Sequence, residues 1–391
     1  MPHKISLREK GTRRKDVDIM QEISRCTECE ACLEVCPTYK CTREILFSPL
    51  QRLKTAEKIF GGEAPTPLLI ESIYNCPKCM RCEEVCPEEI KITRVVHKTR
   101  EELVRKGFGP LSRHDDIIKG ILDTGNSVNG DPAKRLDWLP EDFPTRESDT
   151  LLYVGCLPSY LVKDAATSTY LVLKKLGVDF MILEDEGCCG TYMYEAGRTD
   201  MAADYFRKNV ERFNALGIKN MIVPCNGCLK CFKYFYPDLL GDVGFTIRHA
   251  VDVILEKLQE NPSVLNPIAR GITYQDSCRL SRGENIIEQP RKILKMCGAD
   301  IREPEADINR ENMPCCGAGA GIRSVYRDLS MQIASDLLTG LPADQIVSAC
   351  PFCTFNLSYT SNKKQLGKEI TYLTRFVLDS MRSEAGFPRE S

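Results

Sequence analysis

The feature that most constrains this chain is a pair of adjacent cysteines followed by glycine, which occurs twice, at 188–190 and 315–317. Each pair has one cysteine upstream and a CxxC downstream. The two matched sets of five are Cys156, Cys188, Cys189, Cys225 and Cys228, and then Cys278, Cys315, Cys316, Cys350 and Cys353. Thiolates are soft metal ligands. The repeat therefore predicts two equivalent metal sites that face each other within one domain.

The chain has 21 cysteines in 391 residues, and three chemistries could account for so many thiols. Disulfide frameworks suit small secreted proteins, and adjacent cysteines or a CxxC have poor geometry for bridging. Structural zinc takes four ligands in a closed tetrahedron, which the spacings here do not fit. Iron–sulfur ligation is therefore the favoured interpretation, and it implies a reducing, anaerobic setting.

Two further cysteine runs match C-x2-C-x2-C-x3-C-P without a mismatch, which is the signature of a bacterial two-cluster ferredoxin. In that signature the fourth cysteine of each run binds the other cluster. We expect one cubane [4Fe–4S] cluster on Cys26, Cys29, Cys32 and Cys86, and a second on Cys76, Cys79, Cys82 and Cys36. Helices are predicted over 49–60 and 66–74, between the runs, and over 92–106 after them.

The order of the predicted elements indicates the fold class. Short apolar strands, such as 150–155, 180–183 and 220–223, alternate with helices, and each leads into a cysteine group. The same order returns after residue 269, with a helix over 324–338. Alternating strands and helices predict parallel sheets, in which ligands gather beyond the carboxyl ends of the strands.

The fold class is therefore mixed: a helical, ferredoxin-like domain with two [4Fe–4S] clusters, followed by two pseudo-symmetric α/β halves with parallel sheets. The predicted domains are a polar basic tail (1–20), the two-cluster domain (21–107), a connector rich in turn formers (108–148), half 1 (149–268) and half 2 (269–391). Trp138 is expected to pack the connector onto a neighbouring domain.

Charge and hydropathy narrow the function classes. The formal net charge is −2 at pH 7, which gives no general sign of nucleic-acid or membrane-surface binding. No apolar run approaches the ~18 residues needed to span a bilayer, and no apolar signal segment opens the chain. We expect a cytoplasmic protein that reaches a membrane, if at all, only through a partner.

Five thiols per site fit neither a cubane nor tetrahedral zinc, since each of these takes four. Adjacent cysteines can serve two irons if one sulfur bridges them. Glycine after each pair gives the backbone freedom to pass close to inorganic sulfide. The residues alone therefore indicate two five-thiolate sites with several irons each, and do not define the type of cluster.

The two complete cysteine sets resemble the CCG domains of heterodisulfide reductases, and with the two-cubane domain the chain resembles their fused D-type catalytic subunit. The resemblance implies that each set of five holds a noncubane [4Fe–4S] cluster. One difference from the family lies at 275–282, which reads Gln-Asp-Ser-Cys-Arg-Leu-Ser-Arg where members often read His-Asp-Pro-Cys-His-Leu-Gly-Arg. Polar groups near the second site are therefore altered.

By this resemblance the chain would reduce the mixed disulfide of coenzyme M and coenzyme B to two thiols. Electrons would come through the cubanes from a flavoprotein, a ferredoxin-type subunit or a cytochrome b subunit. The alternative is an electron-transfer subunit of an anaerobic flavin dehydrogenase of the glycerol-3-phosphate, glycolate, lactate or succinate/fumarate type. A third possibility is a non-catalytic cluster scaffold.

The anionic disulfide would need cations, and five lie near the cluster motifs in sequence: Arg198, Arg279, Arg282, Arg323 and Lys230. An ordinary surface or ion-pair role is the simpler interpretation of each. Weaker candidates for proton donors are Tyr192, Tyr194 and His249, of which His249 is expected to pack or to cap a helix. The remaining cysteines of interest, expected not to be ligands, are Cys41, Cys231 and Cys297.

Overall fold

The computed structural model describes residues 18–144 and 147–381. Most of the predicted basic tail lies outside these residues. The described chain forms a helical domain followed by two α/β halves, each with its own parallel sheet. This architecture confirms the predicted fold class. Within the described residues, no helix is both long enough and apolar enough to cross a membrane.

The ferredoxin-like domain is built from short helices around an apolar core. Proline occupies the first position of three of them, where its missing N–H costs nothing, and Ser48 and Thr66 cap two N-termini with their hydroxyls. The longest two helices, α3 and α6, pack against each other through buried residues such as Leu53 and Val95. The helices are α1 (Ile19–Ser24), α2 (Pro37–Thr42), α3 (Pro49–Phe60), α4 (Pro67–Tyr74), α5 (Arg81–Glu84) and α6 (Ile92–Arg105).

The connector contains a helix that the sequence analysis did not anticipate, α7 (Ser112–Thr124). Its buried face includes Ile118 and Ile121, and it ends at Gly125 in the left-handed conformation. Trp138, further along, is 3% exposed and packs edge-on against Tyr170 of the first half. The connector is therefore part of the core and not a loose tether.

Half 1 alternates strands with helices as predicted. Its elements are β1 (Thr150–Leu152), α8 (Cys156–Tyr160), α9 (Lys163–Lys175), α10 (Thr191–Glu195), α11 (Thr199–Ala215), β2 (Asn220–Val223), α12 (Asn226–Lys230), a π-helical turn (Cys231–Phe235), α13 (Tyr236–Leu240), β3 (Thr246–His249) and α14 (Ala250–Glu260). The predicted strand over 180–183 is reduced to one parallel bridge, between Met181 and Leu151.

Half 2 repeats this order. Its elements are β4 (Arg270–Gln275), α15 (Cys278–Glu284), α16 (Glu288–Met296), β5 (Ala299–Ile301), α17 (Ile322–Val325), α18 (Arg327–Thr339), β6 (Gln345–Ser348), α19 (Pro351–Lys364), β7 (Glu369–Tyr372) and α20 (Leu373–Ser380). The single helix predicted over 324–338 is instead two helices, because Tyr326 between them has a non-helical backbone.

The two sheets have the same strand order. In half 2 the order is β5-β4-β6-β7, all parallel. In half 1 it is β1-β2-β3, also parallel, with Met181 bridged to the free edge of β1 in the place that β5 takes in half 2. The halves are therefore related element by element.

The halves also interlock. The last helix, α20, packs on α9 of half 1, and α14 of half 1 packs on α16 of half 2. In the first of these contacts the hydroxyls of Ser168 and Thr374 lie 2.6 Å apart. Because each half contributes a helix to the other's surface, the two cysteine-bearing edges are held in one rigid relation.

Candidate metal centres

The first cysteine run and the end of the second line a surface cavity, which we call the outer cavity. Its thiols are Cys26, Cys29, Cys32 and Cys86. Cys29 is exposed to solvent. The rest of the wall combines apolar side chains, among them Leu50 and Ile92, with polar and acidic ones. The fold thus brings together all four cysteines predicted for one cubane.

A second cavity, the inner cavity, lies deeper. It carries the four thiols predicted for the other cubane: Cys36, Cys76, Cys79 and Cys82. All four are buried. Burial raises the pKa of the Cys82 thiol well above its ordinary value. Iron displaces the proton of a thiol when it binds, so four buried thiols around one cavity have the donor chemistry that an iron–sulfur cluster requires.

The five thiols of half 1 converge beyond the carboxyl ends of β1 and β2, and all are buried. The sulfurs of Cys156 and Cys188 lie 3.8 Å apart, and the N–H of Gly190 donates to Cys188 Sγ at 3.4 Å. Gly190 has a φ of +76°, and a Cβ there would come within 2.8 Å of Phe206. Only glycine fits this turn.

The five thiols of half 2 repeat the arrangement. Gly317 has a φ of +79°, and its N–H donates to Cys315 Sγ at 3.3 Å. A Cβ at Gly317 would collide with the carbonyl oxygen of Ser330. The sulfurs of Cys316 and Cys353 are 3.1 Å apart. The CCG turns of the two halves therefore share their backbone geometry and their N–H···S contact.

The two sets of five meet at the junction between the halves. Although burial lowers it, the pKa of the Arg279 guanidinium is raised by Glu195 and by thiols of both sets, those of Cys278, Cys350 and Cys225. The hydroxyl of Tyr372 in half 2 donates to the carbonyl of Pro224, next to Cys225, at 2.7 Å. The predicted convergence of the cysteine-bearing edges is therefore present in the fold.

The inner cavity also touches half 2. The Cys79 side chain packs against Cys315, with Ile322 and Ile333 completing the contact. On the other side of this loop, Lys78 forms a buried ion pair with Glu195 of half 1. The second cysteine run is therefore inserted between the halves and contacts the thiols of one of them.

A cationic cluster surrounds Glu195 at this junction. Its carboxylate pairs with Lys78 and, at 3.0 Å, with Arg279, and Lys230 lies nearby. Although burial raises it, these cations hold the pKa of Glu195 well below its usual value. Burial lowers the pKa of Lys230 to about 8. Three cations against one carboxylate leave a net positive charge.

Two buried arginines lock the cysteine loops to one another. Arg100 of α6 donates to five main-chain carbonyls, including those of Cys76, Glu195 and Ala320. Arg282 donates to the carbonyls of Cys79, Glu311 and Met313. Arg100, Lys78 and Glu195 were not predicted from the sequence, since nothing in their local sequence distinguishes them from solvated surface charges.

The three additional cysteines have separate environments. The thiol of Cys231 donates to the Cys189 carbonyl at 3.2 Å, and Cys41 donates to Asp336 Oδ2 at 3.2 Å. Cys297 is buried in the core of the α/β halves. Cys231 stands three residues after the CxxC of half 1. At the same offset in half 2, Asn356 donates its side-chain N–H to the Cys316 carbonyl at 2.6 Å.

The other predicted cations lie apart from the thiols. Arg198 pairs with Asp115 at 3.3 Å, and Arg323 stacks over the ring of Tyr359, 4.6 Å from its centre. Of the five cations that the sequence analysis proposed, Lys230 and Arg279 are at the junction of the halves. Arg282 acts on main-chain carbonyls instead.

The predicted proton donors have structural partners. The hydroxyl of Tyr192 lies 2.9 Å from His114 Nδ1, and the hydroxyl of Tyr194 donates to Asp238 at 2.9 Å. His249 caps α14 by accepting the N–H of Val251, as the helix-capping interpretation expects.

The number of thiols at each site indicates what kind of metal group the site could hold. Within residues 18–144 and 147–381, no group of three or more His, Cys, Asp or Glu side chains is arranged to hold a single metal ion. The outer and inner cavities each present four thiols, whereas each half of the α/β region presents five.

Comparison with known proteins defines the class. Residues 22–90 match the 4Fe-4S dicluster domain, and residues 150–233 and 272–358 each match the cysteine-rich CCG domain. The chain is therefore an iron–sulfur protein that combines a dicluster domain with two cysteine-rich domains.

Three relatives illustrate the range of this class. The chain is 30% identical over 365 residues to the D-type component of the dihydromethanophenazine:CoB–CoM heterodisulfide reductase of Methanosarcina barkeri, covering 87% of this chain and 89% of the relative. It is 26% identical to the B-type component of the fumarate reductase (CoM/CoB) of Methanothermobacter marburgensis, covering 90% and 71%. It is 24% identical to a probable glycolate oxidase iron–sulfur subunit of Bacillus subtilis, covering 91% and 81%.

The chain belongs to the D-type family of heterodisulfide reductase subunits, as the sequence analysis predicted. It is thus an iron–sulfur oxidoreductase component that binds [4Fe–4S] clusters.

Proposed function

We propose that this protein reduces a mixed disulfide of the coenzyme M and coenzyme B type to two thiols. Two cubane clusters would occupy the outer and inner cavities, and one noncubane [4Fe–4S] cluster would bind each set of five cysteines. These clusters, when bound, supply electrons one at a time. Two electrons and two protons balance the cleavage of one S–S bond into two thiols.

The observation that carries the proposal is the contact between Cys79 and Cys315. It places the inner cavity next to the thiols of half 2, and Ile92 lines both the inner and the outer cavity. Thiol groups therefore follow one another from the exposed Cys29 to the inner cavity and on to half 2. Electrons from a donor docked at Cys29 could then reach the junction between the halves without a conformational change. We infer that the donor is a partner protein that binds this surface.

The charges at the junction fit an anionic substrate. Lys230, Arg279 and Lys78 share one carboxylate, that of Glu195, so a sulfonate or phosphate group would be attracted there. The role of these side chains is to bind and orient the disulfide between the two sets of thiols. A disulfide has two sulfurs of similar chemistry, which matches two similar sites.

The test is to supply reduced viologen and the mixed disulfide to the isolated protein under anaerobic conditions and to measure thiol release. Full loading gives about sixteen irons per chain, from four clusters of four. Thiol release supports the proposal. A loaded protein that releases no thiols, yet binds a flavoprotein tightly, would be an electron-transfer subunit of a flavin dehydrogenase.

A pair of lysine variants tests the substrate site. Lys230→Met should raise the KM for the disulfide while the iron content stays unchanged. Lys233→Met is the matched control, because Lys233 pairs with Glu284 and is 44% exposed. Equal kinetics in the two variants would exclude Lys230 from substrate binding.

A further inference from the structure

The two cubane cavities differ in the charge that surrounds them. Three glutamates line the outer cavity: Glu28, Glu30 and Glu88. Two of them, Glu28 and Glu30, are exposed, and Glu28 forms an ion pair with Lys54 at 2.7 Å. Arginines line the inner cavity instead, namely Arg52 and Arg81. Net charge, solvent exposure and hydrogen bonds to sulfur are the protein's means of setting a cluster's reduction potential.

Arg52 of α3 is the side chain most directly aimed at the inner thiols. It is 1% exposed, and its Nη1 donates to Cys36 Sγ at 3.6 Å. The rest of the guanidinium is fixed by three bonds of 2.7 Å, from Nε to the Ser72 carbonyl and from Nη2 to Thr38 Oγ1 and Asn75 Oδ1. The group therefore has a single orientation.

None of these four acceptors is a carboxylate. A buried guanidinium without a negative partner is strongly unfavourable, and Cys36, as a thiolate ligand, is the one acceptor of the four that can carry negative charge. Two further arginines add positive charge from outside the cavity, because Arg100 donates to the Cys76 carbonyl at 2.9 Å and Arg282 to the Cys79 carbonyl at 2.8 Å.

We propose that Arg52 holds the inner cubane at a higher reduction potential than the outer cubane, so that electrons entering at the exposed Cys29 collect at the inner cavity. A fixed positive charge and an N–H···S bond both favour the more negative, reduced form of a cluster. In the transfer, one electron leaves the outer cluster, which is oxidised, and enters the inner cluster, which is reduced. No bond or proton changes place. The inference rests on the two-cubane part of the proposed function.

The experiment is a redox titration of the loaded full-length protein, in which electron paramagnetic resonance detects the reduction of each cluster. In the wild type, the inner cluster should be reduced first. Arg52→Gln keeps an amide donor but removes the charge, and should make reduction of the inner cluster at least tenfold less favourable, a downward shift of about 59 mV for one electron. Arg52→Lys keeps the charge and should stay nearer to the wild type.

A second variant assigns the two signals. Glu30→Gln removes a carboxylate from the outer cavity. It should raise the potential of the outer cluster and leave unchanged the potential that responds to Arg52. Iron content is measured for every variant, so loss of a cluster is distinguished from a shift.

The outcomes separate the two proposals. A wild-type protein without two cubane signals overturns the cofactor proposal together with this inference. Two cubane signals whose potentials are unmoved in Arg52→Gln overturn the inference alone. Equal shifts in Arg52→Gln and Arg52→Lys also overturn it, because charge would then not be the cause.

Discussion

The two α/β halves share a strand order and a CCG turn, yet they differ in what surrounds that turn. In half 1 the turn is fixed by a carboxylate: Glu186 accepts the N–H groups of Val154 and Gly155 at 2.8 Å and pairs with Arg135. In half 2 the residue at the same offset is Met313, whose main-chain carbonyl accepts from Arg282. The same geometry is reached with different chemistry.

The larger difference is contact with the two-cluster domain. Half 2 meets that domain through a pair of thiols, Cys79 and Cys315. The contacts of half 1 with it involve other groups, namely the buried ion pair of Lys78 with Glu195 and the stacking of His97 on Tyr194 at 4.1 Å. The repeat therefore supplies two similar sites, and the placement of one loop makes them unequal. Half 2 would receive electrons first.

The strongest test of this inequality removes one ligand from each half. Cys189→Ser and Cys316→Ser should each lower the iron content from about sixteen to about twelve per chain and abolish disulfide reduction. Rapid-freeze spectroscopy should then differ between them. Without the half 2 cluster, electrons should stop at the inner cavity, whereas without the half 1 cluster they should still reach half 2. Identical reduction of the remaining clusters would mean that the halves are equivalent.

The next test concerns the support of the first CCG turn. Glu186→Gln leaves Arg135 buried without its charged partner and should cost about 3–5 kcal/mol in the free energy of unfolding. Met313→Leu, the matched change in half 2, should cost less than about 1.5 kcal/mol, since it nearly conserves volume. Denaturant unfolding of both variants checks this. A cost of the same size in both would remove the distinction.

A third test uses pH at the junction of half 1 with the two-cluster domain. Burial lowers the pKa of His97 to about 4, below the ordinary value of about 6.5. The unfolded chain thus takes up this proton first, and stability should fall by about 3 kcal/mol as the pH drops from about 6.5 to about 4. His97→Phe should lack that component. Parallel profiles for the two proteins would contradict the assignment.

The smallest effect is expected at the position where the halves carry different donors. Cys231→Asn places in half 1 the residue that half 2 has at Asn356, so the hydrogen bond to the Cys189 carbonyl can be kept. Iron should stay at about sixteen per chain, and stability should change by no more than about 1 kcal/mol. Loss of iron would make Cys231 a ligand after all.

Much of this molecule follows from local sequence. Cysteine spacing and the period of apolar residues led to the family, the mixed fold class and the repeated α/β order, because these depend on turns and on short elements. The prediction was less accurate where contacts with neighbouring segments determine whether an element forms. The strand predicted over 180–183 keeps only one bridge, and a break at Tyr326 divides the helix predicted over 324–338.

Only the tertiary structure decided how the sites are connected. The contact of Cys79 with Cys315, the junction around Glu195 and the orientation of Arg52 all join residues that are distant along the chain or carry no local motif. A charged residue in a helix has the same local pattern whether it faces water or a buried thiol, since burial is set by what packs against it. Sequence determined which residues could bind clusters, and packing determined which of those sites lie next to one another.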